Sequence, residues 1–549
     1  MILTDSRGDL GMKLEQVTSP VNNKLLSDYW SGNETLHTFF EYQIRDESFS
    51  MRAEYLKNKQ YNTQQLSEII RSFMEPYGLT EKIKENLAYL ADGSPVIVGG
   101  QQAGILTGPL YSVHKAISVI LLAKEQSEKL GLKVIPLFWI AGEDHDIEEI
   151  NHTYTISDGL PKKRVYSERK NRKTMASTTE INKSEMKKTI DEIFKDFGET
   201  AYTQNLYHFV VQSIDESKTF TDFFIKCMHS FFKDEGLLMI DAANKSFRKF
   251  ESGFFNAIIE NNEQIAKVVV KKEQLLSESG YGTPIEATLE NANLFYVQEG
   301  ERFLLERKND YFSNESANIK FTKEELQDIA NNNPEKLSNN VVTRPLMQEM
   351  TIPVLAFVGG PGELAYWATL KDAFEVLNLQ MPLIIPRLNM TIITRQVEQL
   401  LNEYKITLED VFNGKVKQLK SEFVESIQDQ QAKEQIDQLH ALVNTHYETL
   451  FVHLNSQQIN LDQLIEKNKN YHLQQFDYLK GKIEQQVLLK HDKIIRQFNT
   501  LSSEIYPNDN YQERVFNPYQ YINVYGPTLI SDLLNLPFKI ANTHYVVHL

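Results

Sequence analysis

Four groups of residues give this chain its capacity for chemistry. The first runs Val98-Gly99-Gly100-Gln101-Gln102-Ala103-Gly104-Ile105-Leu106-Thr107-Gly108-Pro109-Leu110-Tyr111-Ser112-Val113-His114-Lys115. Glycines let a backbone approach an anion, and the free N–H groups at a helix start favour negative charge. Gly100, Gln101, Gly104, Thr107, Gly108 and Lys115 are the candidate nucleotide-binding residues, and His114 is a candidate catalytic group. The plainer alternative is a structural turn with His114 packed on a sheet. The loop is neither the GxxxxGK[ST] nor the GxGxxG phosphate motif.

The second group, Trp139-Ile140-Ala141-Gly142-Glu143-Asp144-His145-Asp146, puts three acids and a histidine in four positions. Such carboxylates suit a Mg2+ ion that bridges nucleotide phosphates, or a substrate ammonium. His145 is a candidate general base near neutral pH. Asp144 and Asp146 are candidate catalytic residues, and Trp139 and Glu143 candidate substrate contacts. The alternative is a solvated acidic loop. A zinc site is not expected, because no cysteine joins the cluster and His152 is seven residues on. The third group is Gly359-Gly360-Pro361-Gly362-Glu363-Leu364-Ala365-Tyr366-Trp367, with Gly360 and Glu363 as candidate substrate residues. Glu363 falls in a first helical turn, where the helix dipole stabilises its charge; its alternative is a cap. The fourth is Arg344, Arg387 and Asn389. Arginine suits bidentate carboxylate recognition, although a surface arginine is the plainer reading.

The elements around these groups read as an α/β core. Pro95-Val96-Ile97-Val98 is a short apolar run ending in glycines, hence a buried strand. Pro109 opens a helix to about Lys129, where Gly131 stops it. A second strand follows at 134–140, which makes a βαβ unit and therefore a parallel sheet. Residues 237–241, 354–358 and 382–385 read as further strands, and 363–377 as a helix. Residues 1–90 read as a helical segment packing on the core. The core spans 91–387 with insertions at about 155–235 and 270–345, and the basic stretch 162–173 reads as a solvated loop. Between Pro386 and Pro507 there is no proline, and only Gly414 and Gly481 interrupt. A proline inside a helix costs about 3 kcal/mol, so residues 388–506 can form long helices. Ile436, Leu439, Val443, Tyr447, Leu450 and Leu454, then Phe476, Leu479 and Ile483, then Ile494, Phe498, Leu501 and Ile505 lie on one stripe. With a turn near 455–460 they predict an antiparallel hairpin roughly 60 Å long at 1.5 Å per residue. A second copy of the chain is its simplest partner. Residues 507–549 read as a segment that returns to the core.

Composition narrows the function. The 549 residues hold 58 basic and 74 acidic side chains, a net charge of −16, which argues against broad nucleic-acid binding. The single cysteine, Cys227, lies in an apolar stretch and excludes an internal disulfide framework, so a reducing cytoplasm is the expected home. No basic segment followed by an apolar run opens the chain, and no run approaches the ~20 apolar residues of a membrane span.

Thr107, Gly108, Pro109, Leu110 and His114 resemble the Thr-Gly-Pro-Leu-His-Ile-Gly-His signature of class I adenylate-forming ligases, with Tyr111 and Val113 as departures. No Lys-Met-Ser-Lys-Ser-like loop accompanies them. Gly100-Gln101-Gln102-Ala103-Gly104 with Thr107-Gly108-Pro109-Leu110-Tyr111, the 139–146 segment, Arg344-Pro345, and Gly359-Gly360-Pro361-Gly362-Glu363 with Ala365-Tyr366-Trp367 together resemble the bacillithiol synthase family of cysteine-adding enzymes. A tail with Tyr525-Gly526 and His544 fits as well. The resemblance covers nearly the whole chain. It implies a Rossmann-like, nucleotidyltransferase-type core with inserted segments and a coiled-coil hairpin that mediates homodimers. It also implies addition of cysteine to glucosaminyl-malate as the last step of bacillithiol synthesis. Joining two such molecules through an amide requires an activated carboxyl, so ATP is the expected donor, with His114 at its phosphates. Asp144, His145 and Asp146 would hold the cysteine ammonium or Mg2+ and deprotonate the amine. Two other readings stand beside this one: a different adenylate-forming or nucleotidyl-transfer enzyme on the same fold, and a non-catalytic dimeric scaffold.

Overall fold

A computed structural model describes residues 11–17, 23–167, 174–309 and 311–549. The first ten residues, on which the absence of a leader was read, and residues 168–173 of the basic stretch lie outside the described residues. Within that stretch, residues 162–165 belong to a strand, Leu160–Val165, rather than to a loop.

Two compact units divide the described chain. The first comprises residues up to 156, 161–394 and 510–549; the second comprises 157–160 and 395–509. In the first unit five parallel strands run in the order Leu383–Pro386, Val354–Gly359, Val96–Gln101, Ile135–Ile140, Leu238–Asp241. Val96–Gln101 is central. The chain proceeds from it to one neighbour and reaches the other only some 250 residues later, so the strand order reverses beside it, which is where ligands bind in open α/β sheets. Every residue of Ile135–Ile140 and of Val354–Gly359 is buried, as a strand covered on both faces requires.

Two glycines on the central strand are there for close approach. A Cβ on Gly99 would lie 2.6 Å from Val119 Cγ2 in the helix Tyr111–Leu130, and one on Gly100 would lie 2.4 Å from the Trp139 carbonyl. The helix ends where Gly131 takes a left-handed conformation, φ 64°. Helices of the N-terminal segment pack on the sheet. The Tyr29 hydroxyl donates to the Ile384 carbonyl at 2.8 Å, and buried Arg52 pairs with Glu349 at 2.5 Å and donates to the Val354 carbonyl. This segment is not wholly helical, because Lys13–Val17 is a strand. It pairs antiparallel with His544–His548, which pairs parallel with Asn389–Ile393. The C-terminal residues therefore do return to the core. Of the insertions, one opens with the strand Leu160–Val165 and continues as helices (Lys183–Phe197, Thr203–Asp215, Phe220–Phe232), and the other carries a five-stranded antiparallel sheet between Asn291 and Asn339. The helix expected over 363–377 is two helices, Pro361–Trp367 and Lys371–Val376. Between them the Thr369 hydroxyl bonds the Tyr366 carbonyl at 2.7 Å, a side-chain competitor for the helical ladder.

The second unit begins at Arg395, so Asn389–Ile393 belongs to the first and is a strand rather than a helix. Its main elements are the antiparallel helices Gln430–Ser456 and Asp462–Lys490, with the chain reversing at 457–461 as expected. The arms hold 27 and 29 residues, about 40 Å each at 1.5 Å per residue. They are shorter than the expected length because the helix Asp492–Ile505 is separate, broken off at His491. Tyr447 donates to Asn468 at 2.9 Å and Lys480 pairs with Asp437 at 2.8 Å across the hairpin. Ile436 and Ile465 are buried, while Leu439, Leu450 and Leu479 are exposed. No helix among the described residues is long and apolar enough to cross a membrane.

Candidate active site

Beyond the carboxyl ends of the central strands lies a cavity of about 500 Å3. Gly100, Gln101, Lys115, Trp139, Glu143, Asp144, His145, Arg344, Gly360, Glu363 and Arg387 line it, so the structure brings together eleven of the residues singled out above. It does not bring His114, Gly104, Thr107, Gly108, Asp146 or Asn389 to the lining.

The departures have physical reasons. A Cβ on Gly104 would meet the Gly108 Cα at 2.8 Å, so the loop closes on itself, and the Gly104 and Gly108 N–H groups donate to the Gln102 and Ile105 carbonyls within it. Thr107 is fully buried, and the Leu110 N–H donates to the Phe516 carbonyl at 2.7 Å. His114 is sealed from solvent and its Nδ1 lies 2.9 Å from Glu513 Oε2. Burial holds the imidazole below its ordinary pKa, against the pull of Glu513, so the neutral ring donates from Nδ1. His114 therefore supports the site from behind and does not reach its ligands. Asp146 is exposed, at the N-cap position of the short helical turn Ile147–Ile150. Asn389 acts indirectly, accepting from Arg387 at 3.0 Å.

The residues that do line the cavity are held by buried ion pairs. Lys115 donates to the Gly100 carbonyl at 2.6 Å, to Gln101 at 3.1 Å and to Glu363 at 2.6 Å. An ammonium has three donors, so none remains for a phosphate, and the lysine instead ties the central strand to the Gly360 turn. Burial lowers its pKa while Glu363 opposes that shift. Glu363 also accepts the Gly360 N–H at 2.8 Å, so the expected cap is made as well. Glu143 is buried against Arg248 and accepts from Ser338 at 2.7 Å. Burial would raise its carboxyl, but Arg248 and Arg302 outweigh burial and hold it below the usual range.

Asp144 and His145 face Arg302. Asp144 accepts from Gln102 at 2.6 Å and from the His145 backbone at 2.7 Å. The Arg302 guanidinium lies over the Phe295 ring at 3.9 Å, and Nη1 makes a long 3.4 Å contact with His145 Nδ1. A guanidinium only donates. Nδ1 is thus the acceptor, and a neutral ring carries its proton on Nε2. His145 thus lies at the cavity lining beside Asp144, whose Oδ1 is 3.9 Å from the same ring nitrogen. Arg344 bonds Gln348 at 2.9 Å and the Tyr366 hydroxyl, beneath which lies Phe357. Among the described residues neither Arg344 nor Arg514, which also lines the cavity, has a carboxylate partner.

Sequence reasoning passed over Arg302, Phe295, Asn339 and Asn340, which enter from the antiparallel insertion, and Arg514 from the C-terminal segment. The last had a signal. Between 507 and 549 only Asp509, Glu513, Arg514, Asp532 and Lys539 are charged, so an adjacent acid–base pair stands out.

A family model described as "Bacillithiol biosynthesis BshC, N-terminal Rossmann-like domain" matches residues 12–388, and one described as "Bacillithiol biosynthesis BshC, C-terminal coiled-coil domain" matches 390–549. The chain belongs to the BshC family. Relatives named "Putative cysteine ligase BshC" include one from Lysinibacillus sphaericus, 57% identical, one from Geobacillus kaustophilus, 38% identical, and one from Bacillus licheniformis, 36% identical. Each alignment covers 98% of this chain and all of the relative. Residues 510–549 fall in the stretch matched as coiled coil, yet they pack in the Rossmann-like unit. The cavity lining is consequently built from both matched stretches of sequence.

Glu143→Gln would leave Arg248 and Arg302 short of a counter-ion, so the variant should melt several degrees below wild type at pH 7. A carboxyl held low in the fold contributes stability above its unfolded pKa of about 4 and loses it as pH falls. The gap between the two melting curves should therefore narrow from pH 5 to pH 3; a gap that stays constant or widens contradicts the charge assignment.

Proposed function

We propose that this chain is a cysteine ligase that adds L-cysteine to glucosaminyl-malate in the last step of bacillithiol biosynthesis, forming a carbon–nitrogen amide bond. The relatives' name gives the reaction class. The single observation in the cavity that carries the reading is the pair Arg344 and Arg514, cations at the lining with no carboxylate partner among the described residues. Glucosaminyl-malate brings carboxylates that such guanidinium groups bind well, and Arg387 adds a third cation to the same lining.

A free carboxylate does not acylate an amine in water, so the cysteine carboxyl must be activated, and ATP is the donor we propose on that chemical ground. The Gly104–Gly108 loop, the saturated Lys115 and the buried His114 do not fit its phosphates, so we route no step through them. Mg2+ commonly uses one or two carboxylates plus substrate oxygens; Asp144 is the acid at the lining that suits this. Among the described residues no group of three or more His, Cys, Asp and Glu side chains is placed to hold a metal. In this scheme the sugar amine attacks the activated cysteine carboxyl, the bond from that carboxyl to the activating phosphate breaks with the phosphate as leaving group, and His145, beside Asp144 at the lining, takes up the proton the amine releases.

Purified protein with ATP, cysteine and glucosaminyl-malate should yield the cysteinyl amide, and omission of ATP should abolish it. An equal rate without nucleotide contradicts activation by ATP. His145→Ala should lower turnover by ~10²-fold or more, and Arg344→Ala should raise KM for glucosaminyl-malate about tenfold while leaving KM for cysteine unchanged.

We also propose that the protein acts as a homodimer through the hairpin, supported by exposed Leu439 and Leu450 on one arm and Leu479 on the other. Light scattering should give twice the chain mass, and the double substitution Leu439→Glu, Leu450→Glu should give a monomer. A wild-type monomer at micromolar concentration contradicts the assignment.

A further inference from the structure

We infer that Glu513 is a positioning residue of this site: from the C-terminal segment it fixes the Arg387 guanidinium at the cavity wall, where that group meets the anionic part of the substrate. The inference rests on the proposed reading of the cavity as the site for glucosaminyl-malate.

Arg387 follows the last strand of the parallel sheet and is almost fully buried, yet it lines the cavity. Nη1 donates to the Leu388 carbonyl and to Asn389 Oδ1, each at 3.0 Å, and Nη2 donates to Glu513 Oε1 at 2.6 Å. A guanidinium has five N–H donors. Three are thereby used, which leaves that of Nε and one on Nη2. Nε faces the Gly360 turn, 3.7 Å from where a Cβ on that glycine would stand. The Tyr111 ring lies beneath, 5.6 Å from the guanidinium carbon. Two donors thus remain for an anion, and the plane they lie in is set by Glu513.

Glu513 does not itself reach the cavity. It is 1% exposed, and its second oxygen accepts from His114 Nδ1 at 2.9 Å and from the Met390 N–H at 3.3 Å. Arg387 and these donors hold the carboxyl ionised, well below the usual range, despite its burial. Three strands of evidence therefore meet on one side chain: it orients the lining arginine, it accounts for buried His114, and it sits beside Arg514, which lines the cavity directly. The dipeptide Glu513-Arg514 places one cation through a partner and presents the other itself. Its arrival from 126 residues beyond Arg387 makes the cavity incomplete without the C-terminal segment.

Glu513→Gln keeps the shape but removes the charge, and it turns an N–H2 toward Arg387 or toward the His114 and Met390 donors. We expect KM for glucosaminyl-malate to rise about tenfold, with KM for cysteine and ATP unchanged within twofold and kcat within about threefold. Arg387→Ala should raise the same KM, and the double variant should add no further loss, because residues acting as a unit are not additive. If Glu513→Gln does not fold, Glu513→Asp keeps the charge at shorter reach and should show the same selective rise, reduced in size. Unchanged KM for glucosaminyl-malate in the folded Glu513 variants, alongside a raised KM in Arg387→Ala, overturns the inference and leaves the function reading intact. A fall in kcat with every KM unchanged shows Glu513 to be merely structural and also overturns it. If Arg387→Ala and Arg344→Ala both leave that KM unchanged, the reading of the cavity itself fails.

Discussion

A positive charge taken out of water must be met by a negative one, and at the carboxyl edge of this sheet that requirement organises the site. Removing one member of a buried pair typically costs 3–5 kcal/mol, because the other is left unsolvated. Lys115 is met by Glu363, Arg248 by Glu143 and Glu251, and Arg387 by Glu513. None of the first members is within a hundred residues of its partner except Arg248 with Glu251. Each pair therefore fastens a separate stretch of chain to the same edge: the glycine turn after the fourth strand, the polar end of the second strand, the C-terminal segment. The cavity keeps its shape because its walls are held by pairs that the fold cannot easily surrender.

Against that background the unbalanced cations acquire meaning. Arg344 is held in place by neutral groups, Gln348 and Tyr366, and by the rings around it. These fix its direction without neutralising it. A guanidinium oriented in this way, half-buried at the cavity wall, is prepared for an anionic ligand and gains more from it than a fully exposed one would. His145 is oriented from the insertion side, its Nδ1 3.4 Å from Arg302 Nη1.

Much of the framework was legible in the sequence. Short apolar runs marked the strands, two of them ending in glycine pairs, and the clustering of acids after Trp139 and of glycines before Glu363 marked the strand ends that face the cavity. The absence of proline over 120 residues marked the helical unit. What local pattern could not reveal was pairing at long range. Lys13–Val17 reads as part of a helical segment because its partner strand lies at the other terminus. Arg302 and Glu513 sit among ordinary strand and turn residues, and only the fold tells which charge each must meet. The ligase-like signature points to His114 and Thr107 as ligand contacts, whereas both are buried and His114 meets Glu513. The break at Thr369 was hidden for a similar reason, since a threonine's local bond to a carbonyl leaves no trace in hydrophobic spacing.

The central claim is that the cavity beside the central strand takes the sugar-malate substrate on its arginine wall. A crystal of the protein soaked with glucosaminyl-malate tests it most directly. The account predicts density for the compound among Gly100, Asp144 and the Gly360 turn, with malyl carboxylates on Arg344 and Arg514 and the sugar amine toward Asp144. Density for it at another surface, with this cavity holding only water at saturating ligand, would contradict the account.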